Sequence, residues 1–164
     1  MTSADFELPS TATRGSRQQH WQVLGVGIDL VQVDSLKAAL IRRPSLQHRL
    51  FTLQELEVAQ RGATQLAGSV QLAMFFAAKE SVMKALGSGM NAVGFTDIEV
   101  KVGPNSQNRL QLGGRAAAQA AVLGIESWQL SLSSAGLMAQ ALVFGLARLQ
   151  SEQQESSHTA RMFR

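Results

Sequence analysis

Residues 75–89, FFAAKESVMKALGSG, predict the end of a buried helix that carries three charges. Apolar side chains lie on nearly every side of this segment, and a helix without a wide polar face is normally buried. Glu80 and Lys84 are four residues apart and share a face, whereas Lys79 points elsewhere. Charges in apolar surroundings are costly unless they are paired or bind an ion. Two glycines follow and bring backbone N–H groups within reach of the same face, which suits a metal-bound phosphate: Gly87 and Gly89.

The composition indicates one folded domain within the 164 residues. A hydrophobic content of 45% with 16% charged residues excludes a disordered chain, and the absence of Cys excludes a disulfide framework. We find no run of about 18 apolar residues and no signal-peptide pattern, so we expect a cytoplasmic protein without a membrane partner. The net charge is only +3. Because nucleic-acid binding usually needs a basic stripe, we expect no nucleic-acid partner.

Residues 23–33, VLGVGIDLVQV, predict a strand with one acidic residue inside an apolar run. A period of two places the aliphatic side chains on one face, and Asp29 with two glycines on the other. The glycines leave room for something to approach. Asp29 could cap the following turn, or it could form half of a hard-cation site with Glu80. Since Mg²⁺ typically takes one or two carboxylates and completes its shell with water and phosphates, we interpret Asp29 and Glu80 as metal ligands.

The remaining pattern predicts the order β-α-α-α-β-β-α-β-β. Asp34 is the expected N-cap of a first helix that ends before Pro44, and Thr52 with Glu55 forms a capping box at the start of the second. Residues 61–68 are expected to connect this helix to the central one. Later segments predict a β-hairpin (residues 97–102 and 110–112), an Ala-rich helix (114–123) closed by Gly124, and two strands (128–133 and 138–149).

This order predicts the α+β class: a single compact domain with a mainly antiparallel sheet and helices packed on one side. We expect mobile polar tails at residues 1–21 and 150–164 around a folded domain at 22–149. Other chemistries fit poorly. The three His lie in the tails or near the arginines of the first helix, which argues against a Ser-His-Asp triad or a zinc site, and Gly25-x-Gly27 lacks the rest of a dinucleotide fingerprint.

Three arginines cluster around the end of the first helix: Arg42, Arg43 and Arg49. They could be solvated charges that interact with the last carbonyl groups of the helix. Alternatively, they could form a docking surface for an acidic protein partner. The sequence leaves both interpretations open.

Five segments in this order resemble the 4′-phosphopantetheinyl transferases of the holo-acyl-carrier-protein synthase type. They are GIDLV (27–31), FT..EL (51–56), FAAKESVMKALGSG (76–89), DIEV (97–100) and SLS (131–133). The resemblance covers roughly residues 23–148. It implies transfer of the phosphopantetheine arm of coenzyme A to a serine of an apo acyl carrier protein, with release of adenosine 3′,5′-bisphosphate. It also implies a requirement for Mg²⁺ and a homotrimer with active sites between subunits.

The resemblance assigns roles residue by residue. It implies that Asp29 and Glu80 bind Mg²⁺ and that Lys84 contacts phosphate beside Gly87 and Gly89. Glu80, directly or through a metal-bound water, is then the expected base for the carrier serine, so that Glu80 and Lys84 are the catalytic pair. Ser133 of the SLS segment is an expected coenzyme A contact. In the family an Arg at the position of Ser35 contacts the carrier protein, and we expect Arg42, Arg43 and Arg49 to supply that docking charge here.

The chain departs from the family pattern at three positions. Members usually carry Arg, Arg and His where this chain has Ser35, Phe75 and Ser134. Two readings therefore remain: an active transferase with a narrowed choice of carrier, or a non-catalytic relative that binds coenzyme A or a carrier protein. The pair Glu80–Lys84 could also be a plain ion pair on the helix.

Overall fold

The computed structural model describes residues 20–87, 92–103 and 107–149. Within these ranges the chain forms five strands, five α-helices and one 3₁₀ turn. In chain order they are β1 (Trp21–Gln32), α1 (Val33–Arg42), α2 (Leu46–Leu50), α3 (Leu53–Gln60), α4 (Gln65–Ala85), a 3₁₀ turn (Phe95–Asp97), β2 (Ile98–Val102), β3 (Asn108–Leu112), α5 (Gly114–Val122), β4 (Ser127–Ala135) and β5 (Met138–Arg148).

The strands form two antiparallel sheets, so the predicted α+β class is confirmed. One sheet has the order β1-β5-β4, and the other is the predicted hairpin of β2 and β3. Most of the predicted tails, together with residues 88–91 and 104–106, lie outside the described residues. The domain boundaries at 22 and 149 therefore stay predictions.

Helix α4 packs directly on the larger sheet because β1 carries no side chain at two of the contact positions. A Cβ built on Gly25 would lie 2.4 Å from the backbone oxygen of Ala85, and one on Gly27 would lie 1.8 Å from that of Ser81. What approaches the glycine face of β1 is therefore the central helix itself. The aliphatic face of β1 points the other way and is exposed.

Two predicted helix starts are wrong. Helix α1 begins at Val33 with Gln32 at the cap position, so Asp34 lies in the first turn. Its carboxylate there interacts favourably with the positive end of the helix dipole. Helix α4 begins at Gln65 rather than after residue 68, because Thr64 caps it: the Thr64 hydroxyl accepts from the backbone N–H of Ala67 at 3.1 Å. The short helix α2 was not predicted.

Two local predictions are confirmed. The Thr52 hydroxyl accepts from the backbone N–H of Glu55 at 3.3 Å, and the Glu55 carboxylate accepts from the backbone N–H of Thr52 at 2.9 Å. After α5 the chain reverses at Gly124, whose φ of 74° lies in the left-handed region that glycine adopts without strain.

Replacing Gly27 by Ala should destabilise the fold by about 3 kcal/mol or more, because the new methyl group overlaps a helix carbonyl that cannot move independently. Chemical denaturation measures the change in the free energy of unfolding. Gly113→Ala is the matched control, since its Cβ meets no atom within 4 Å. That control should cost less than about 1 kcal/mol. Equal effects of the two substitutions would contradict the close contact.

Candidate metal and phosphate site

Asp29 and Glu80 approach each other across the contact between β1 and α4. Asp29 lies on the helix-facing side of β1, opposite Ala141 of β5, and its side chain is 17% exposed. Glu80 is half-buried on α4. The two carboxylates are close enough for the charge of Asp29 to raise the pKa of Glu80. The structure thus brings together the two residues that we predicted from the sequence as metal ligands.

Lys84 joins this pair from the next turn of α4. Its ammonium lies 2.6 Å from Oδ1 of Asp29 and donates to the backbone oxygen of Ile28 at 2.9 Å. The ammonium thus bonds to Asp29 on the neighbouring strand, and it acts on Glu80 through its charge. Half of the Lys84 side chain remains exposed, so the ammonium can be reached from solvent.

The pKa of Glu80 is raised above its ordinary value of 4.5. Burial is the largest cause because it disfavours the charged carboxylate, and the negative charge of Asp29 adds to it. The positive charge of Lys84 acts in the opposite direction. A divalent cation between the two carboxylates would relieve the repulsion that raises this pKa.

The donor set suits Mg²⁺ rather than a transition metal. Both carboxylates are hard oxygen ligands, and Mg²⁺ commonly binds one or two of them together with water and substrate phosphates. In the described part of the chain no group of three or more His, Cys, Asp and Glu side chains could hold a metal ion. A site with two carboxylates therefore leaves the other coordination positions to water and substrate.

An open groove of about 410 Å³ adjoins these residues and is lined by Ile28, Asp29, Leu30, Lys84 and Gln140. It runs along β1, which is an outer strand of its sheet. The Lys84 ammonium and the Asp29 carboxylate thus lie at one groove wall, and an ammonium in an open groove can bind a phosphate-containing substrate.

Of the other residues expected to contact phosphate or coenzyme A, those that the structure describes do not line this groove. Gly87 comes after Leu86, the C-cap of α4, with a φ of 62°, whereas Gly89 lies outside the described residues. Ser133 is aligned across the sheet with Gln140 and Leu30, so its side chain points to the exposed face of the sheet. Within one chain it therefore lies on the opposite face from Asp29.

The three arginines lie close together in sequence at the ends of α1 and α2. Arg42 and Arg43 are exposed at the end of α1, and Arg49 is exposed on α2. Arg49 also lines a groove of about 600 Å³ beside Phe95 and Arg115. The structure thus presents positive charge on this surface, apart from the carboxylate pair.

Of the three positions that depart from the family pattern, one is part of the core. Phe75 is fully buried in the main hydrophobic cluster, so this position contributes apolar packing instead of a charge. Ser35 is exposed and donates to the side chain of Gln32 at 3.0 Å, and Ser134 is exposed on β4. A positive charge at either serine position would need little rearrangement of the core.

Sequence reasoning missed a buried ion pair behind the site. The ammonium of Lys79 lies 2.8 Å from Oε2 of Glu55, and both side chains are almost fully buried. Burial lowers the pKa of Lys79, and the charge of Glu55 opposes that shift. The signal was the charge of Lys79 in an apolar helix, which required a partner, but spacing along the chain could not identify Glu55.

Comparison with known proteins places this geometry in a family. The family model of the 4′-phosphopantetheinyl transferase superfamily matches residues 25–133, which include Asp29, Glu80 and Lys84. The chain belongs to the 4′-phosphopantetheinyl transferase superfamily. The resemblance noted from the motifs is thereby confirmed, and so is the fold expected from it.

Curated relatives of this transferase are holo-[acyl-carrier-protein] synthases. The chain is 42% identical over 121 residues to the one from Streptomyces avermitilis, covering 74% of this chain and 95% of that protein. It is 45% identical over 121 residues to the one from Frankia casuarinae, with the same coverage. Among solved structures, an ACPS–CoA complex described as from Chronobacterium ammoniagenes has 29% identity and a TM-score of 0.63, covering 77% of this chain and 98% of that chain.

Of the helices in the described ranges, none combines the length and the apolar character needed to cross a membrane.

Glu80→Gln should stabilise the metal-free transferase, and the gain should grow with pH. Because the folded-state pKa is raised, ionising Glu80 costs more in the folded chain than in the unfolded one. Below the ordinary value of 4.5 the carboxyl is protonated in both states and the cost is absent. As pH rises toward the raised value, the unsubstituted chain loses stability relative to the variant.

Thermal unfolding between about pH 4 and pH 8 without divalent metal measures this difference. Glu57→Gln on α3 is the control, since that side chain is 62% exposed. A difference between Glu80→Gln and the unsubstituted chain that stays constant over this range would contradict the prediction.

Proposed function

We propose that this chain transfers the 4′-phosphopantetheine arm of coenzyme A to a serine of an apo acyl carrier protein and releases adenosine 3′,5′-bisphosphate. The observation that carries the proposal is the approach of Asp29, Glu80 and Lys84 to one another, in a chain that matches the transferase family over residues 25–133. The cytoplasm is the proposed compartment.

Asp29 and Glu80 would hold Mg²⁺, which when bound neutralises charge on the pyrophosphate of coenzyme A. Lys84 supplies a further positive charge in the groove, where it can contact a phosphate oxygen. Two carboxylates that repel each other in a half-buried site support this assignment, because a cation lowers the cost of ionising both.

The chemical step exchanges one phosphorus–oxygen bond for another. The carrier serine oxygen attacks the pyrophosphate phosphorus on the phosphopantetheine side, and the bond from that phosphorus to the bridging oxygen breaks. Adenosine 3′,5′-bisphosphate leaves with the bridging oxygen. Glu80 accepts the serine proton as the general base.

The decisive experiment incubates the protein with Mg²⁺, coenzyme A and several apo carrier proteins, and weighs the carriers by mass spectrometry. At least one carrier should gain the mass of one phosphopantetheine arm. Asp29→Asn and Glu80→Gln should each lower the transfer rate by about 100-fold or more while the chain stays folded. Glu57→Gln is the matched control and should retain the rate. Full activity in both site variants would remove the metal assignment.

We further propose that Arg42, Arg43 and Arg49 contact the carrier protein. Their exposure and shared positive charge support binding to an acidic protein surface. The alternative is that these arginines are solvated and interact only with the last carbonyl groups of the helix.

Arg42→Glu should raise the KM for the carrier by about tenfold and weaken its salt dependence, with the KM for coenzyme A unchanged. Steady-state kinetics at two salt concentrations measure both effects. Arg61→Glu, the same charge reversal at the C-cap of α3, is the control. A rise in the KM for both substrates would indicate damage to the site instead of lost docking.

A homotrimer is proposed from the resemblance, and the exposed sheet face supports self-association. Four aliphatic side chains of β1 point away from α4 with exposures of 40% to 59%: Leu24, Val26, Ile28 and Leu30. Contiguous apolar surface of this kind commonly marks an interface. Ser133 lies on the same face of the sheet, and we assign it to a site shared between neighbouring subunits.

Analytical ultracentrifugation should give the mass of three chains for the unsubstituted protein. Val26→Glu should shift it toward one chain, because a buried unpaired carboxylate opposes association. Val122→Glu makes the same change at a side chain of α5 that is 81% exposed, and it should leave the mass unaltered. A mass of one chain for the unsubstituted protein would contradict the proposed trimer.

A further inference from the structure

Helix α4 contacts β1 through backbone at two positions, without interlocking side chains. Gly25 and Gly27 present no side chain to the helix, and the helix presents the backbone oxygens of Ala85 and Ser81 to them. The other buried positions of α4 include three alanines beside the larger Phe75, Val82 and Met83. Small residues allow a close approach, but they resist rotation and sliding of a helix less than interdigitated large side chains do.

The position of α4 matters because Asp29 and Glu80 come from different elements. Each residue along a helix advances the chain by about 1.5 Å and turns it by about 100°. A small slip of α4 would therefore move the Glu80 carboxylate away from Asp29. Misplacement by about 1 Å can lower a catalytic rate about 100-fold.

Lys79 anchors the other side of α4 with directional bonds. Its ammonium lies 2.8 Å from the Glu55 carboxylate of α3, and it donates to the backbone oxygens of Phe95 at 2.9 Å and Ile98 at 2.5 Å. An ammonium has three donors, and each of these has an acceptor on a different element. Such bonds constrain both the rotation and the axial position of the helix.

Glu55 is held equally firmly on its own side. One carboxylate oxygen accepts from the backbone N–H of Val100 at 2.9 Å, and the other accepts from Thr52 in the capping box as well as from Lys79. Among the described residues, every buried side-chain nitrogen and oxygen has a hydrogen-bond partner. The pair thus joins α4 to α3, the 3₁₀ turn and β2 in one satisfied network.

Stability alone does not account for this network. Taking two charges out of water costs several kcal/mol per ion, and apolar replacement of a buried pair is often neutral or stabilising. What a satisfied polar network adds is a defined geometry. Lys79 is also the residue directly before Glu80.

We propose that the Lys79–Glu55 pair is a positioning device that sets the rotation and height of α4 and thereby holds the Glu80 carboxylate opposite Asp29. The inference rests on the proposed function of Glu80. Lys79 and Glu55 act through α4 and need no contact with substrate.

The test replaces both charges with neutral side chains of similar size, Lys79→Met with Glu55→Gln. This double variant should unfold cooperatively within a few degrees of the unsubstituted chain, since no unpaired buried charge remains. Its affinity for Mn²⁺, followed by electron paramagnetic resonance as a probe of the carboxylate pair, should fall about tenfold or more. The kcat for carrier loading should fall similarly, with the KM for the carrier unchanged.

Arg61→Met with Glu57→Gln is the matched control, because it removes an exposed ion pair with the same substitutions. It should leave Mn²⁺ affinity and kcat as they are. A folded Lys79→Met, Glu55→Gln variant with unaltered Mn²⁺ affinity and kcat would overturn the proposal. So would a loss of activity that merely follows the unfolded fraction.

If the double variant does not fold, Glu55→Asp decides the matter. This change keeps the charge and shortens the side chain by one methylene. The shorter side chain should displace Lys79 and α4 toward α3 and thereby weaken Mn²⁺ binding in a folded chain. Unchanged Mn²⁺ binding in that variant would overturn positioning. If the unsubstituted chain loads no carrier, the proposed transferase function fails, whereas the Mn²⁺ titrations still report on the ion pair. If the unsubstituted chain also binds no Mn²⁺, both proposals fail.

Discussion

The close contact between helix α4 and strand β1 is the constraint on which the rest of the structure depends. Two residues of β1 without side chains let the helix backbone approach the strand backbone, and a methyl group at either position would overlap a carbonyl oxygen. Because Asp29 follows Gly27 by two residues on the same face of β1, the same contact carries its carboxylate to the helix. The packing requirement and the proposed metal site are therefore consequences of one short stretch.

The charges on α4 are divided between two sides of the helix with different environments. Lys79 is fully buried and paired with Glu55, whereas Glu80 is half-buried beside another carboxylate, and burial is the main cause of its raised pKa. A buried charge with all its partners specifies geometry. A half-buried carboxylate beside a like charge is a cost that the fold sustains, as is common where function requires a cation or a proton to bind.

The larger sheet also has two unlike faces. One face packs on α4, and the other exposes the aliphatic side chains of β1 together with Ser133. A single chain leaves this second face uncovered. Association of several chains would bury this face. The proposed oligomer and the proposed coenzyme A contact of Ser133 therefore concern the same surface.

The sequence by itself determined the class of the fold and predicted the site residues, because both inferences depend on local patterns. Period two in residues 23–33, the apolar helix around Glu80 and the capping box at Thr52 are all readable from neighbours along the chain. The spacing of Asp29 and Glu80 within known motifs identified the family. Local patterns were less reliable at helix starts. Gln32 occupies the cap position of α1 where Asp34 was expected, and Thr64 starts α4 earlier than expected.

Only the tertiary structure decided which groups meet. It showed that the glycines of β1 receive α4, that Lys84 bonds to Asp29, and that Lys79 pairs with Glu55. It also assigned Phe75 to the core and Ser133 to the exposed face of the sheet. The physical reason is that ion pairs and backbone contacts join residues distant along the chain. Such partners are selected by how the helices and sheets pack, and no periodicity in the sequence records that choice.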